Sequence, residues 1–590
     1  MSYWASSNVE PIGETQVSIT AENGLNYEVG NTQRQINLFI PPSVKFLSGK
    51  DSYLQFNMKI NQPANISTRL QLDPAGAGMI VRNLRIYDGS RGNLIEEINE
   101  YNQLVALDHD YNSDTSSRNL VALEQGGVAY SERCKGTQGT SQSEYANVVT
   151  NPWFKYYTGA AALTDIYDPD VQNNTVKCCV PLKMSGVFSG AIFPNMMTNG
   201  LYVELDLMPA PRIVKQLDSV VRSRRTPLCP KFRSLDGTAA DDWAVGGTVV
   251  TFFHLQKENS MRTIGDVPFV VGETVLFQKT DSATHVVGTD VSDMSADMVI
   301  SAIEDAGAAG IKITIAPGVS NDSPGGGGAG LEIDQTFSLV SAELLASDVV
   351  SAAGVPLSYT ISDFQFIAHQ IEFDASYEAR MMAKARAGKF IEFDIYSATN
   401  YKNSMLASER QATFLIHANN QKAKSVVCIP TDSSVYKNGD LMSSDTSYQV
   451  TKDEMDTQLR SARPGLSGCC DFLSSYQMQI DGKLVPSRPV STKKIATRES
   501  IDAFHIFELE KGLSSSKIPA KSLAKYMDNF VITRGFGGSS DGAMDLRGKD
   551  LSLILDYSES TPPTKPKMFN TFVFHVRRVR IRGGMAEVHH

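Results

Sequence analysis

Tryptophan, cysteine and histidine are scarce in this 590-residue chain, at 3, 7 and 9 copies, and each scarcity removes a class of function. The histidines are His109, His254, His285, His369, His417, His505, His575, His589 and His590, and none takes an H-E-x-x-H or other ligand spacing. The cysteines (Cys134, Cys178, Cys179, Cys229, Cys428, Cys469, Cys470) are odd in number, include two adjacent pairs and lack any C-x-x-C. That pattern excludes a disulfide framework and a zinc ribbon, and reads as buried or half-buried thiols in a reducing compartment. Trp4, Trp153 and Trp243 do not cluster, which weakens any groove that would stack sugars. Uninterrupted apolar runs of membrane length are missing; residues 338–359 come nearest and are broken by Glu343 and Asp348. No charged-then-apolar leader opens the chain, so it is expected to be soluble, made inside a cell and not membrane-spanning.

Charge is also sparse, at 20% Asp, Glu, Lys and Arg, with 55 bases against 65 acids and a net charge of −10. A protein that coats nucleic acid needs the opposite sign, because the phosphate backbone rewards Lys and Arg. The first 33 residues contain no base at all, while Glu10, Glu14, Glu22 and Glu28 are acidic. A chain built this way encloses a genome as a wall, if it encloses one, and not as a counterion.

What is present is strand periodicity. In SYLQFNMKI, Leu54, Phe56, Met58 and Ile60 alternate with Tyr53, Gln55, Asn57 and Lys59. In LYVELDLM, Leu201, Val203, Leu205 and Leu207 point inward against Tyr202, Glu204 and Asp206. Period 2 places each apolar set on one sheet face. Residues 35–42, 79–89, 364–373, 389–396, 410–417, 550–557 and 569–581 read likewise, with Asp88-Gly89 and Asp481-Gly482 as tight-turn dipeptides. The pattern predicts helices over 93–107, 374–388, 500–511 and 522–530. The third of these opens at Ser500, and the second starts at a capping Asp374 and stops at Gly388. Many strands without βαβ alternation make an all-β protein of sandwiches, and 590 residues make two to four domains. The stretch from about 215 to 350, with short strands and a glycine-rich end, reads as a small β module inserted in a loop of the first sandwich.

Motifs that suggest chemistry each have a plainer reading. PGGGGAG (324–330) is followed by Leu331-Glu332 where a phosphate loop needs Lys and Ser or Thr, so it reads as a linker. Gly538-Ser539-Ser540-Asp541-Gly542 fits G-x-S-x-G, but no amphipathic helix follows to make a nucleophile elbow. Asp168-Pro169-Asp170 lacks the glycine and closing glutamate of a calcium loop. The sequons at Asn65 and Asn173 have no secretory context, and Asp241-Asp242 and Glu96-Glu97 read as solvated faces or a helix flank. No enzyme, cofactor or metal site is expected. Two basic clusters remain, RSRR (222–225) and Arg577, Arg578, Arg580 and Arg582. The latter lies in a strand where Arg578, Arg580 and Arg582 share one face, either salt-bridged and solvated or a candidate subunit interface.

Several blocks, in order, resemble the double jelly-roll major capsid proteins of polinton-like viruses and, more distantly, of virophages, in the lineage of adenovirus and large DNA virus capsids. They are LDPAGAGMIVRNLRIYDGSRGNLIEEINEYNQLVA (72–106), SGVFSGAIFPNMMTNGLYVELDL (185–207), YTISDFQFIAHQIEF (359–373), TNYKNSMLASERQATFLIHANNQKAKSVVCIPTD (399–432) and NTFVFHVRRVRIRGGMAEV (570–588). The resemblance implies two eight-stranded jelly rolls in tandem. The first would cover 31–376 with an insertion at about 225–350, and the second 377–585. An arm at 1–30 and a tail at 586–590 would flank them. It implies a homotrimer forming a pseudo-hexagonal capsomer of an icosahedral double-stranded DNA virus, located in the virion shell. Its partners would be neighbouring capsomers, penton and minor capsid proteins, and a host receptor reached through outer loops. Two rivals stand beside this reading: a minor or vertex capsid protein, normally a single jelly roll, and a β-sandwich carbohydrate-active or lectin-like protein.

Overall fold

The computed structural model describes residues 10–30, 34–61, 69–73, 75–113, 115–127, 152–158, 165–172, 175–190, 192–217, 358–432, 468, 470, 473–493, 503–513, 530–536, 542–557, 563, 566–589 and short strands between 129 and 150 and between 242 and 341. In the first half, the strands are β1 (Gly13–Thr20), β2 (Gln35–Ile40), β3 (Phe46–Asn61), β4 (Val81–Asp88) and β5 (Leu94–Ile98). The helices α1 (Tyr101–Tyr111) and α2 (Thr115–Gln125) follow, then β6 (Val176–Pro181) and β7 (Leu201–Leu207). Five strands come next: β8 (Val249–Phe252), β9 (Thr274–Lys279), β10 (Met298–Asp305), β11 (Ile311–Ala316) and β12 (Phe337–Ser341). They pair into a sheet of their own, in the order β8–β11–β10–β9–β12. The half closes with β13 (Ser358–Glu372).

The helix α3 (Ala375–Arg386) leads into the second half. There the strands are β14 (Ile391–Met405), β15 (Gln411–Ile416), β16 (Ala423–Asp432), β17 (Leu473–Ile480) and β18 (Lys483–Ser491). Helix α4 (Ala503–Leu513) precedes β19 (Ile532–Gly535), β20 (Leu551–Tyr557), β21 (Lys567–Arg582) and β22 (Met585–His589).

Strand order identifies the architecture. The first half packs a sheet β1–β13–β3–β6 against a sheet β2–β7–β4–β5, and the second packs β14–β21–β16–β19 against β15–β20–β17–β18. Counting the strands of each half in order, both read first–eighth–third–sixth and second–seventh–fourth–fifth. All these pairings are antiparallel, and this is the jelly-roll connection made twice.

The alternation read from the chain holds where it matters: Leu54, Phe56, Met58 and Ile60 of β3 are all buried. Helix α3 starts as expected, with the Asp374 side chain accepting from the Ser376 N–H at 2.9 Å, and Gly388 beyond its end has φ +71°. Asp481 and Gly482 both have positive φ and form the turn between β17 and β18.

Five expectations need correction. Residues 13–20, assigned to an arm, form the first strand of the first barrel, since a polar edge strand needs only a backbone partner, here β13. The helix expected over 93–107 is a strand at 94–98 followed by a helix at 101–111, because a short apolar run fits either period. Asp88-Gly89 opens a longer loop: Asp88 accepts from the N–H groups of Gly92 and Asn93, and the positive φ falls on Arg91. Tyr202 and Asp206, expected outward, are buried; Asp206 is held there by Asn83 at 3.0 Å and Arg85 at 3.2 Å. The helix expected near 500–511 lies at 503–513, and the one expected at 522–530 falls outside the described residues, apart from Phe530, which is not helical.

One edge is closed by a device worth following. Pairing of β16 with β21 ends at His575, with one further bond from the Val576 N–H to the Lys422 carbonyl at 3.0 Å, which leaves residues 577–582 of β21 beyond the reach of β16. The chain reverses through Gly583 and Gly584, with φ of +59° and +85°, and β22 pairs back along Arg578–Arg582. A β-branched residue at Gly584 meets both the left-handed backbone and the Asn199 amide, 3.1 Å from the position of a Cβ. Gly584→Val is expected to lower stability by about 1–2 kcal/mol, read as a lower thermal midpoint.

Candidate assembly surface

The two barrels meet along a seam that is apolar at its centre. Barrel one contributes β5 and the connection between β6 and β7; barrel two contributes one end of β14 and β21. Phe193 of that connection packs edge-on against Phe393 of β14, with ring centroids 5.6 Å apart. Ile391, Phe393, Ile395, Val579, Ile581 and Ala586 of barrel two belong to the same continuous buried cluster as the core of barrel one. The remaining core of barrel two, around Phe569, Val573 and Leu553, is separate. At Gly186 the approach is backbone to backbone, since a Cβ would sit 2.5 Å from the Tyr396 carbonyl oxygen. A side chain there would push the barrels apart.

Polar side chains hold this apolar contact in register. Glu96 of β5, read from the chain as a solvated carboxylate, is fully buried. It accepts from the Ser185 hydroxyl at 2.5 Å and from the N–H groups of Gly186 at 2.8 Å and Val187 at 3.3 Å, so it ties the β6–β7 connection to β5. Glu100 is also fully buried, and it pairs with Lys402 of β14 at 2.6 Å and Arg82 of β4 at 3.2 Å. Burial pushes its carboxyl upward, but Lys402, Arg82 and Arg212 outweigh that and hold it below the usual carboxylate range. Arg577 donates to the Ile95 carbonyl at 3.4 Å and to His575 at 2.9 Å, and burial pulls its guanidinium below its ordinary value despite nearby Glu96 and Glu97.

The arginine cluster therefore divides. Arg577 lies in the seam. Arg578 pairs with Asp394 at 2.9 Å and Arg580 with Glu392 at 2.6 Å, each with its direct cross-strand partner on β14, while Arg582 is exposed beside the turn. The cross-strand acids were the signal that could have been found, because Glu392 and Asp394 alternate at the same period as the arginines. RSRR, PGGGGAG, Ser539, the two sequon asparagines, Trp4, Cys134, Cys229 and Cys469 lie outside the described residues; Asp168 and Asp170 lie in a strand, Asp165–Gln172.

Sites for other chemistry gain little. Trp153 is fully buried with its indole N–H on the Gly126 carbonyl at 2.7 Å, so it offers no face to a sugar. A groove between α1 and α2 carries Asp108 and Glu124, with Tyr101 as the sole Phe, Tyr or Trp among its lining residues. Among the described residues no cluster of three His, Cys, Asp or Glu is arranged to hold a metal, and no helix is long and apolar enough to cross a membrane. The thiols of Cys178 and Cys428 are fully buried, and burial pushes both up to about 12. At pH 8 both are expected to stay unalkylated in the folded protein while half-buried Cys179 reacts, as peptide mass mapping would show.

No protein-family model and no curated protein matches the chain. Solved structures do resemble it across nearly its full length. The PBCV-1 virus capsid is 9% identical with a TM-score of 0.46, over 100% of this chain and 99% of that one. The Faustovirus major capsid protein is 8% identical with a TM-score of 0.45, over 98% and 92%. The mavirus major capsid protein is 11% identical with a TM-score of 0.36, over 99% and 93%. This chain is thus a double jelly roll by its own strand order, and the solved structures named here as similar to it are virus capsid proteins.

Proposed function

We propose that this chain is the major capsid protein of an icosahedral double-stranded DNA virus, working as a homotrimer whose six barrels make a pseudo-hexagonal tile of the virion shell. One observation carries the reading: the same jelly roll occurs twice in one chain, and an apolar seam, with Lys402 of one copy paired to buried Glu100 of the other, locks the copies side by side. Two barrels fixed in this way supply one third of a six-cornered tile. The ordered blocks of sequence similarity to double jelly-roll capsid proteins support it, and so does an acidic chain suited to a wall and not to genome neutralisation.

On this reading function is assembly, not turnover. The sheet β8–β12, inserted between the seventh and eighth strands of barrel one, is a module on the outer surface, available to a host receptor. Residues before β1 form an inner arm that reaches neighbouring capsomers, and penton and minor capsid proteins complete the shell. Arg582, the exposed member of the arginine face, remains available to a neighbouring subunit. The test is mass in solution: light scattering on the purified chain is expected to give about 193 kDa, three times 64.4 kDa. Electron micrographs of the same peak should show six-cornered particles. A stable species of 64.4 kDa at micromolar concentration overturns the proposal.

A further inference from the structure

The seam inside one chain is head-to-tail: barrel one and barrel two meet through different surfaces. Barrel one offers its fifth strand, β5, with its sixth-to-seventh connection; barrel two offers its first strand, β14, with the end of its eighth. Each barrel therefore keeps the surface that its twin has used. On barrel two this is the fifth strand, β18, with residues 542–550 before the seventh strand. On barrel one it is the first strand, β1. All four of these strands are edges of their sheets.

The two unused edges are chemically complementary. Strand β18 carries Lys483 and Arg488 and no acid, and Leu484 on it is 47% exposed. Strand β1 and the residues just before it carry Glu10 and Glu14 and no base, with Ile12 71% exposed. Pro486 and Pro489 remove two N–H groups from β18, so another strand cannot extend that edge as a continuous ladder. Contact there must run through side chains. The intrachain seam has the same character: among the described residues its backbone pairing is the single bridge between Thr198 and Gly584.

We infer that β18 of one copy docks against β1 of the next, repeating between chains the contact that β5 and β14 make within a chain. A heterologous contact of this kind closes into a ring when its rotation allows. The inference rests on the trimer reading and names the surface that makes it. The experiment compares the full chain with Leu484→Asp/Arg488→Glu by light scattering at pH 8. The wild-type chain is expected at about 193 kDa and the variant at 64.4 kDa, a threefold loss of mass with the far-ultraviolet circular dichroism retained. If the double variant fails to fold, the exposed single changes decide instead. Arg488→Glu and Glu14→Arg should each dissociate the trimer, and the two together should restore it. A trimer that survives these changes overturns this surface and leaves the trimer standing. A wild-type monomer overturns the trimer reading, and this inference with it.

Discussion

Replacing Phe193 with alanine is expected to lower stability by about 3–5 kcal/mol and to split one thermal transition into two. The ring is 1% exposed and stands edge-on to Phe393, so its loss leaves a cavity where the two barrels join. The backbone cannot close that cavity easily, because Gly186 already abuts the Tyr396 carbonyl a short way along the seam. Ile391, Ile395, Val579 and Ile581 of barrel two belong to the same cluster, so the damage falls on the core that joins the barrels. Barrel two keeps its own core around Phe569 and Leu553, and should then melt separately. Calorimetry reads both effects, and Phe569→Ala is the control that damages one barrel without touching the seam cluster. A Phe193→Ala protein with one transition at an unchanged midpoint would show that the barrels do not depend on each other.

The second large effect concerns Glu100. Arg82→Met with Lys402→Met leaves the carboxylate buried without its two nearest cations, a change expected to cost about 3–5 kcal/mol near neutral pH, moderated by Arg212. Glu100→Gln should cost less, about 1–3 kcal/mol, because Lys402 and Arg82 are 43% and 28% exposed and regain water. The pH dependence follows from the lowered carboxyl. Its contribution is fully present above the ordinary value of 4.5 and is lost as pH falls through the depressed value in the folded protein. Unfolding midpoints of the wild type and Glu100→Gln should therefore converge on acidification below pH 4.5. Equal spacing of the two curves from pH 7 down to pH 3 would remove Glu100 from the acid response.

Much of each barrel is legible in the chain because a half-buried strand writes its face into the residue order. Leu54 to Ile60 and Leu551 to Tyr557 alternate cleanly, and both are core strands. Legibility fails at the edges. Strand β1 is mostly polar and exposed, so it has no apolar period to betray it. It fails again where a polar residue is buried by a distant partner. Glu96 looks solvated until Ser185 and Gly186 close over it, and Tyr202 looks outward until Arg91 lies over its ring at 3.4 Å. The arginines of β21 were visible as a group, yet their division between seam and cross-strand pairs depends on what β5 and β14 bring to them.

Residue order alone determined the all-β class, the sandwich strands and the linking helix near Asp374, since each follows from local period or turn chemistry. Only the tertiary structure decided that one part of barrel two joins the core of barrel one while the rest keeps a core of its own, and which edges the barrels use and which they leave open. Those facts join residues such as Glu100 and Lys402, or Phe193 and Phe393, across hundreds of positions. No local pattern encodes a contact whose two sides are brought together only by the closure of both sheets.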